Sequence, residues 1–322
     1  MASSSAAVHG KSKQRSEGFQ VGESAARLGT QAFAAAIIVI TALVLYSLCT
    51  GSWPAFLRFG FGFFSSTAWD PVADKYGALP FIYGTLVTSF LALLIAVPLS
   101  VGAAIYLAEL APAGLSSGLT FLVELLAAVP SVIYGLLAIF VLVPAMRDYV
   151  EPALQDTVGH VPVIGGLFSG QIFGVGFLTA SVVLAIMTFP YIISISREAL
   201  LDVPVDQREA ALALGATRWE STYQIVLPNA RLGIVGAVFL GLARALGETM
   251  AVTMVIGNDP SVKTSLFASG YTIPAVIANE FPEASGIQAS SLIFLALVLF
   301  LITIVINGGA RLFLHATRQR GA

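Results

Sequence analysis

Apolar residues in this chain of 322 residues gather in six long blocks, at 32–50, 81–108, 119–146, 173–196, 231–257 and 287–310. Each approaches or exceeds the roughly 18–20 residues that cross hydrocarbon as a helix. The alternating pattern of a membrane barrel strand is absent, so the backbone polar groups must be satisfied within helices. The pattern predicts an all-α polytopic membrane protein with six transmembrane helices. Pro98, Pro130 and Pro190 fall inside blocks, with Gly84, Gly102 and Gly135 nearby. They predict kinks and close packing, or bends that shape a pathway.

The polar stretches frame one membrane domain at 32–310. A tail at 1–31, rich in Ser, Gly and Lys, is expected to be disordered and cytoplasmic, and 311–322 forms a second cytoplasmic tail. No removable signal peptide is expected, because the first apolar block follows a long polar stretch without a convincing cleavage site. Gly10-Lys11-Ser12 has the look of a phosphate-loop ending, but Ser5 stands where the first glycine would be and no strand precedes it.

Composition agrees with the blocks. Hydrophobic residues make up 57% and charged residues 11%, against roughly 25% charged in a soluble domain. The formal net charge of −2 points to no acidic or nucleic-acid partner, whereas the placement of charge is informative. Lys11, Lys13, Arg15, Arg27, Arg197, Arg208, Arg218, Arg231, Arg311, Arg318 and Arg320 fall on one side of a six-span topology. Only Arg58, Lys75, Arg147 and Lys263 fall on the other. The richer side is cytoplasmic, which places both termini inside, as an even number of spans requires. A single cysteine, Cys49, excludes an internal disulfide, and His9, His160 and His315 are too scattered for a metal or acid–base site. The chain is expected to be no enzyme and to hold no cofactor.

The connection at 197–230 is polar yet structured. Asp202-Val203-Pro204 starts a helix, and Val205 to Leu214 are mostly strong helix formers. Gly215 suits the left-handed residue that ends a helix, and Thr217-Arg218-Trp219-Glu220 reads as a capping box opening a second. Leu227-Pro228 is expected to break that second helix before the next span. The result is a stiff two-helix knob on the cytoplasmic face. Deeper in the fifth span lie Arg244 and Glu248. Arg244 is roughly 20 Å along the helix from Arg231, near mid-membrane, where a cation costs at least about 2.5–3.5 kcal/mol unless it faces protein or water. Glu248, four residues on, would share its helical face and could neutralise it. Such a pair either offers Arg244's fork of donors to a passing oxyanion or simply fixes helix packing. Glu124 in the third span either lines the pathway or reaches the interface.

Glu209-Ala210-Ala211, three residues, Gly215, nine residues and then Ile225-Val226-Leu227-Pro228 resembles the EAA loop of importer-type ABC permeases. The resemblance implies that the knob seats in a cleft of a cytoplasmic ATPase, with Glu209 making a polar contact and Ala210 and Ala211 allowing close approach. Gly241 to Val252, Glu124 to Gly135 and Tyr271 to Phe281 are similar to stretches of phosphate-specific ABC permeases, and Trp53-Pro54 with Phe59-Gly60 is similar to their PstC-like branch. That likeness implies a subunit of the bacterial cytoplasmic membrane that imports inorganic phosphate by alternating access. Its implied partners are a PstA-like second permease, two copies of a PstB-like ATPase and a PstS-like binding protein outside. It also carries Arg244 and Glu248 over as residues needed for passage. Alternatives are another oxyanion (molybdate, sulfate), an ion-coupled carrier, for which paired broken helices in inverted repeats would speak, and a non-transporting anchor or sensor.

Overall fold

The computed structural model describes residues 26–162 and 164–312. The chain divides into two compact units, Met1–Gly51 and Ser52–Ala322. Helix α1 (Ala26–Phe59) supplies the described part of the first and the opening of the second. Phe33, Ile37, Ile38 and Leu43 stand exposed along it, a surface suited to lipid tails. The tail expected to be disordered at 1–31 falls mostly outside the described residues, but from Ala26 the chain is already helical.

The second unit continues with a two-stranded hairpin, β1 (Trp69–Asp70) and β2 (Lys75–Tyr76), paired antiparallel. Then come α2 (Leu79–Leu110), α3 (Ala113–Ala128), α4 (Ser131–Thr157) and α5 (Phe177–Leu201). After α5 follow α6 (Val205–Ala213), α7 (Arg218–Gly247), α8 (Ile273–Glu280) and α9 (Gly286–Leu312). Among the described residues, six helices are long and apolar enough to cross a membrane: α1, α2, α4, α5, α7 and α9. The last carries on past the expected end at 310, and the rest of the C-terminal tail lies outside the described residues.

Three of the expected boundaries change. The block at 119–146 is not one span: the chain leaves the helix at Val129 (ψ 128°), and α4 starts afresh after Pro130. A residue before proline is pushed out of the helical region, and α3, with 16 residues, is too short to cross. Pro98 and Pro190, by contrast, lie inside unbroken helices. The block at 231–257 stops early, because α7 ends at Gly247 and Glu248 is extended (ψ 129°) before a single turn at Met250–Thr253. Leu227-Pro228 does not break the chain either. A wider π-turn over Thr222–Val226 lies directly before the proline and accommodates it, and the helix continues through Pro228. The second helix of the knob and the fifth span are therefore one element.

The core forms where α2 and α5 pack along each other. Ala92 and Ala96 of α2 meet Phe177, Leu184, Met187 and Ile192 of α5, with Ala237 of α7 and Val252 and Ile256 beyond it. α5 is the most buried of the six spans. At the end of α2 away from the knob, Phe63, Tyr76, Phe81, Tyr271 and Phe294 form an aromatic cluster. Phe63 stacks on Phe294 with centroids 4.4 Å apart. The Trp69 indole N–H donates to Glu280 at 2.9 Å, tying the hairpin to α8.

Candidate functional site: a broken-helix centre and a two-helix knob

The two helix breaks lie against each other. The first turns of α4 pack on the Met250–Thr253 turn, and Gly135 makes this possible: a Cβ there would sit 2.5 Å from the Met254 sulfur and 3.2 Å from the Ala251 Cα. Breaking a helix orphans the carbonyls of its last turn, and those need donors. In α3 the donors are tyrosines. The Tyr134 hydroxyl donates to the Leu126 carbonyl at 2.8 Å, and the Tyr191 hydroxyl donates to the Ala127 carbonyl at 2.9 Å.

Arg244 joins this centre. Its guanidinium carbon lies 4.1 Å from the centroid of the Tyr191 ring, a cation–π contact worth about 0.5–2 kcal/mol. It stands in the last turn of α7, where a positive charge complements the helix dipole. Its Nε is buried with no hydrogen-bond partner in the chain. The residue as a whole is partly exposed, but a donor nitrogen shut off from solvent without an acceptor is costly unless a ligand or partner supplies one.

Glu248 is not where helical spacing puts it. Gly247 ends the helix, and the Glu248 carboxylate turns to the next turn, accepting from the Ala251 N–H at 3.4 Å. Among the described residues no ion pair joins it to Arg244, so the expected self-neutralising pair is replaced by an aromatic seat. Glu124 stands exposed on α3, one turn before Ala127, and no contact joins it to Arg244 among the described residues. Tyr134 and Tyr191 are site residues that spacing alone did not single out. The available signal was a tyrosine directly after Pro190 and another four residues after Pro130.

The knob follows the expected local rules closely. The helix α6 ends in a left-handed Gly215 (φ +92°). The Gly215 N–H reaches the Leu212 carbonyl at 3.0 Å and the Ala216 N–H the Ala211 carbonyl at 3.1 Å, a Schellman ending. Then Thr217 opens α7 with a full capping box: Glu220 N–H donates to Thr217 Oγ1 at 3.2 Å, and Thr217 N–H to Glu220 Oε2 at 2.7 Å. Glu209 and Ala210 face outward and Ala211 is half-buried. Leu214 is 90% exposed, and Trp219 stacks on Tyr223 at 6.5 Å with both rings exposed. Large apolar side chains thus stand exposed on an otherwise polar protrusion. Leu227 packs beneath the knob with Val203, Val226 and Ala230, while Pro228 is exposed within α7.

The box gives a direct prediction. Thr217→Ala should cost the start of α7 about 1 kcal/mol. Amide exchange over Arg218–Ser221 should rise several-fold, with the mid-membrane half of α7 unaffected. Equal exchange in both proteins would show that the cap does not hold this end.

Residues 96–319 match the family model described as binding-protein-dependent transport system inner membrane component. The chain is 48% identical over 294 residues to the phosphate transport system permease protein PstC of Pasteurella multocida, covering 91% of this chain and 92% of that one. With the protein of the same name from Haemophilus influenzae it shares 46% identity, covering 92% and 94%. Among solved structures it is similar to an inward-facing MetNI methionine ABC transporter (TM-score 0.55, 17% identity, 73% of this chain and 94% of that one). A bacterial ABC transporter involved in import of the acidic polysaccharide alginate gives the same TM-score, 0.55, at 19% identity, over 87% and 94%. At that identity the two structures speak for the fold alone.

Proposed function

Because this chain belongs to the family of binding-protein-dependent transport system inner membrane components, we propose that it is the membrane-spanning permease subunit of an ATP-driven importer that carries inorganic phosphate inward. It is a multi-pass membrane protein and a transport subunit, not an enzyme; ATP is hydrolysed by a separate ATPase, and cargo is delivered by a binding protein. The finer assignment follows the relatives' names: a PstC-like subunit beside a PstA-like permease, two PstB-like ATPases and a PstS-like binding protein. The organisation proposed for it is a permease domain at 32–310 with cytoplasmic tails and a cytoplasmic knob.

Phosphate as cargo is supported by the names of relatives that match over nine-tenths of the chain. The observation in this chain that carries it is Arg244, a guanidinium in the last turn of α7 seated on Tyr191 with a buried, unpartnered Nε beside two helix breaks. An oxyanion supplies the acceptor that this nitrogen lacks, and the guanidinium fork suits it. In this reading ATP closes the ATPase pair, the knob moves with it, and the spans open outward. Hydrolysis reverses the movement and frees the anion inside. In this reading Glu248 shapes the break next to Arg244, and Glu124, exposed on α3, is assigned to the pathway as well. Glu209, Ala210, Ala211 and Gly215 form the ATPase contact, and Leu227 and Pro228 carry the helix on into the membrane.

The test is to purify the chain with its neighbours from mild detergent and reconstitute it in vesicles. An ATPase should copurify and be lost with Glu209→Lys, and labelled phosphate uptake should require ATP and the matching binding protein. Competition by molybdate or sulfate as strong as by phosphate would move the cargo to another oxyanion. Uptake driven by an ion gradient without ATP would overturn the reading.

A further inference from the structure

Arg208 precedes Glu209 on α6 but turns the other way, into the bundle. Its Nη2 donates to Glu109 Oε1 at 2.9 Å and to the Leu200 carbonyl at 2.6 Å. Its Nε lies 3.3 Å from both Glu109 oxygens, and Nη1 donates to the Val203 carbonyl. Glu109 ends α2, and Leu200 and Val203 lie at and just past the end of α5. The side chains of Arg208 and Glu109 are only 17% and 11% exposed, so water screens the pair weakly. No residue of α6 is itself buried. α6 follows α5 after the short Asp202-Val203-Pro204 link, and with no side chain of its own fully buried its seat against the bundle leans on polar ties. A second tie among the described residues is Asn229 Nδ2 donating to Gln207 Oε1 at 3.0 Å, on the exposed side.

We infer that the Arg208–Glu109 pair is the clamp through which the knob grips the α2–α5 pair, and that Arg208 is a positioning residue for transport. This rests on the proposed function and deepens it. The knob is attached to the bundle in two ways. Its second helix is the start of α7, so it moves that span directly. Its first helix reaches α2 and α5 through Arg208. Tyr191 belongs to α5 and Arg244 to α7, so their contact bridges the two attachments. With the clamp closed, α2, α5 and α7 travel as one rigid body and Arg244 stays on its ring. With it open, α6 pivots on the Asp202-Val203-Pro204 link, the ATPase's movement is taken up within the knob, and the packed α2, α5 and α7 do not follow.

The experiment uses the whole reconstituted importer and reads labelled phosphate moved per ATP hydrolysed. Arg208→Ala, and the nearly isosteric Glu109→Gln in case the first fails to fold, should leave the ATPase bound and basal hydrolysis intact. Phosphate per ATP should fall about tenfold, the loss expected when hydrogen bonds to a charged group are removed. In a Cys49→Ser background, joining Glu109→Cys to Arg208→Cys with a short bis-maleimide should restore the ratio, and the unlinked protein should not show it. A lesion that only destabilised the subunit would lower assembly and would not be rescued by the link. An unchanged ratio in both single variants, or a linked pair that stays uncoupled, would overturn the clamp. Absence of an ATPase from the unaltered complex would instead overturn the function on which it rests.

Discussion

An importer carrying Arg244→Ala should assemble, bind its ATPase and yet move phosphate at about one hundredth of the normal rate. The magnitude follows from the setting. A bare anion at mid-membrane carries a penalty of the order of 2.5–3.5 kcal/mol for a single charge, and each 1.36 kcal/mol on a barrier is about tenfold in rate. The guanidinium is held by the Tyr191 ring and keeps its Nε free of protein acceptors, so little in the chain can substitute for it. Arg244→Lys keeps the charge but loses the planar fork and the stacking, and should recover only part of the rate. Tyr191→Phe keeps the ring and loses only the bond to the Ala127 carbonyl, so it should fall far less than Tyr191→Leu. Full uptake by Arg244→Ala, measured in vesicles at saturating binding protein, would remove Arg244 from the pathway.

The second large effect is expected at Gly215. Its φ of +92° lies where a β-branched residue is strained, at a cost of the order of 1–3 kcal/mol. A Cβ would meet nothing within 4 Å, so the penalty comes from the backbone and not from a clash. Gly215→Val should relax by redirecting the link between the Schellman ending and the Thr217 cap, which changes the angle between the two helices of the knob. Phosphate moved per ATP should drop tenfold or more, while the protein still inserts. Gly215→Asn, a residue that tolerates the left-handed region, should fall much less. A valine variant with a normal ratio would mean that the knob's internal angle does not matter for coupling.

The features read best from the sequence are those with local causes. The number of spans, six, was legible because length and hydrophobicity decide whether a segment can cross a bilayer, although the span expected at 119–146 runs instead over Ser131–Thr157. The ends of the knob at Gly215 and Thr217 were legible because a glycine at φ > 0 and a capping box are set by neighbours within five residues. The prolines were a different matter. Pro98, Pro130 and Pro190 look alike in sequence, yet only Pro130 interrupts its helix. What separates them is tertiary: Tyr134 and Tyr191 catch the carbonyls freed at the α3 end, and Gly135 admits Met254 against the restart. The expected Arg244–Glu248 pair failed because helical spacing says nothing about a helix that stops at Gly247. Arg208 and Glu109, 99 residues apart, carried only faint signals: an inward arginine in an otherwise outward loop, and a carboxylate closing an uncharged span.

Because Pro228 leaves α7 intact, the knob's second helix and the Arg244 guanidinium ride on one lever. From Arg218 to Arg244 its arm measures roughly 39 Å at 1.5 Å per residue, and a tilt of only about 5° swings the far end through about 3 Å. That stroke is comparable with the length of a hydrogen bond. In the transport proposed for this chain, a modest pivot at the knob would thus be enough to seat or eject a hydrogen-bonded oxyanion, without any helix having to melt or slide.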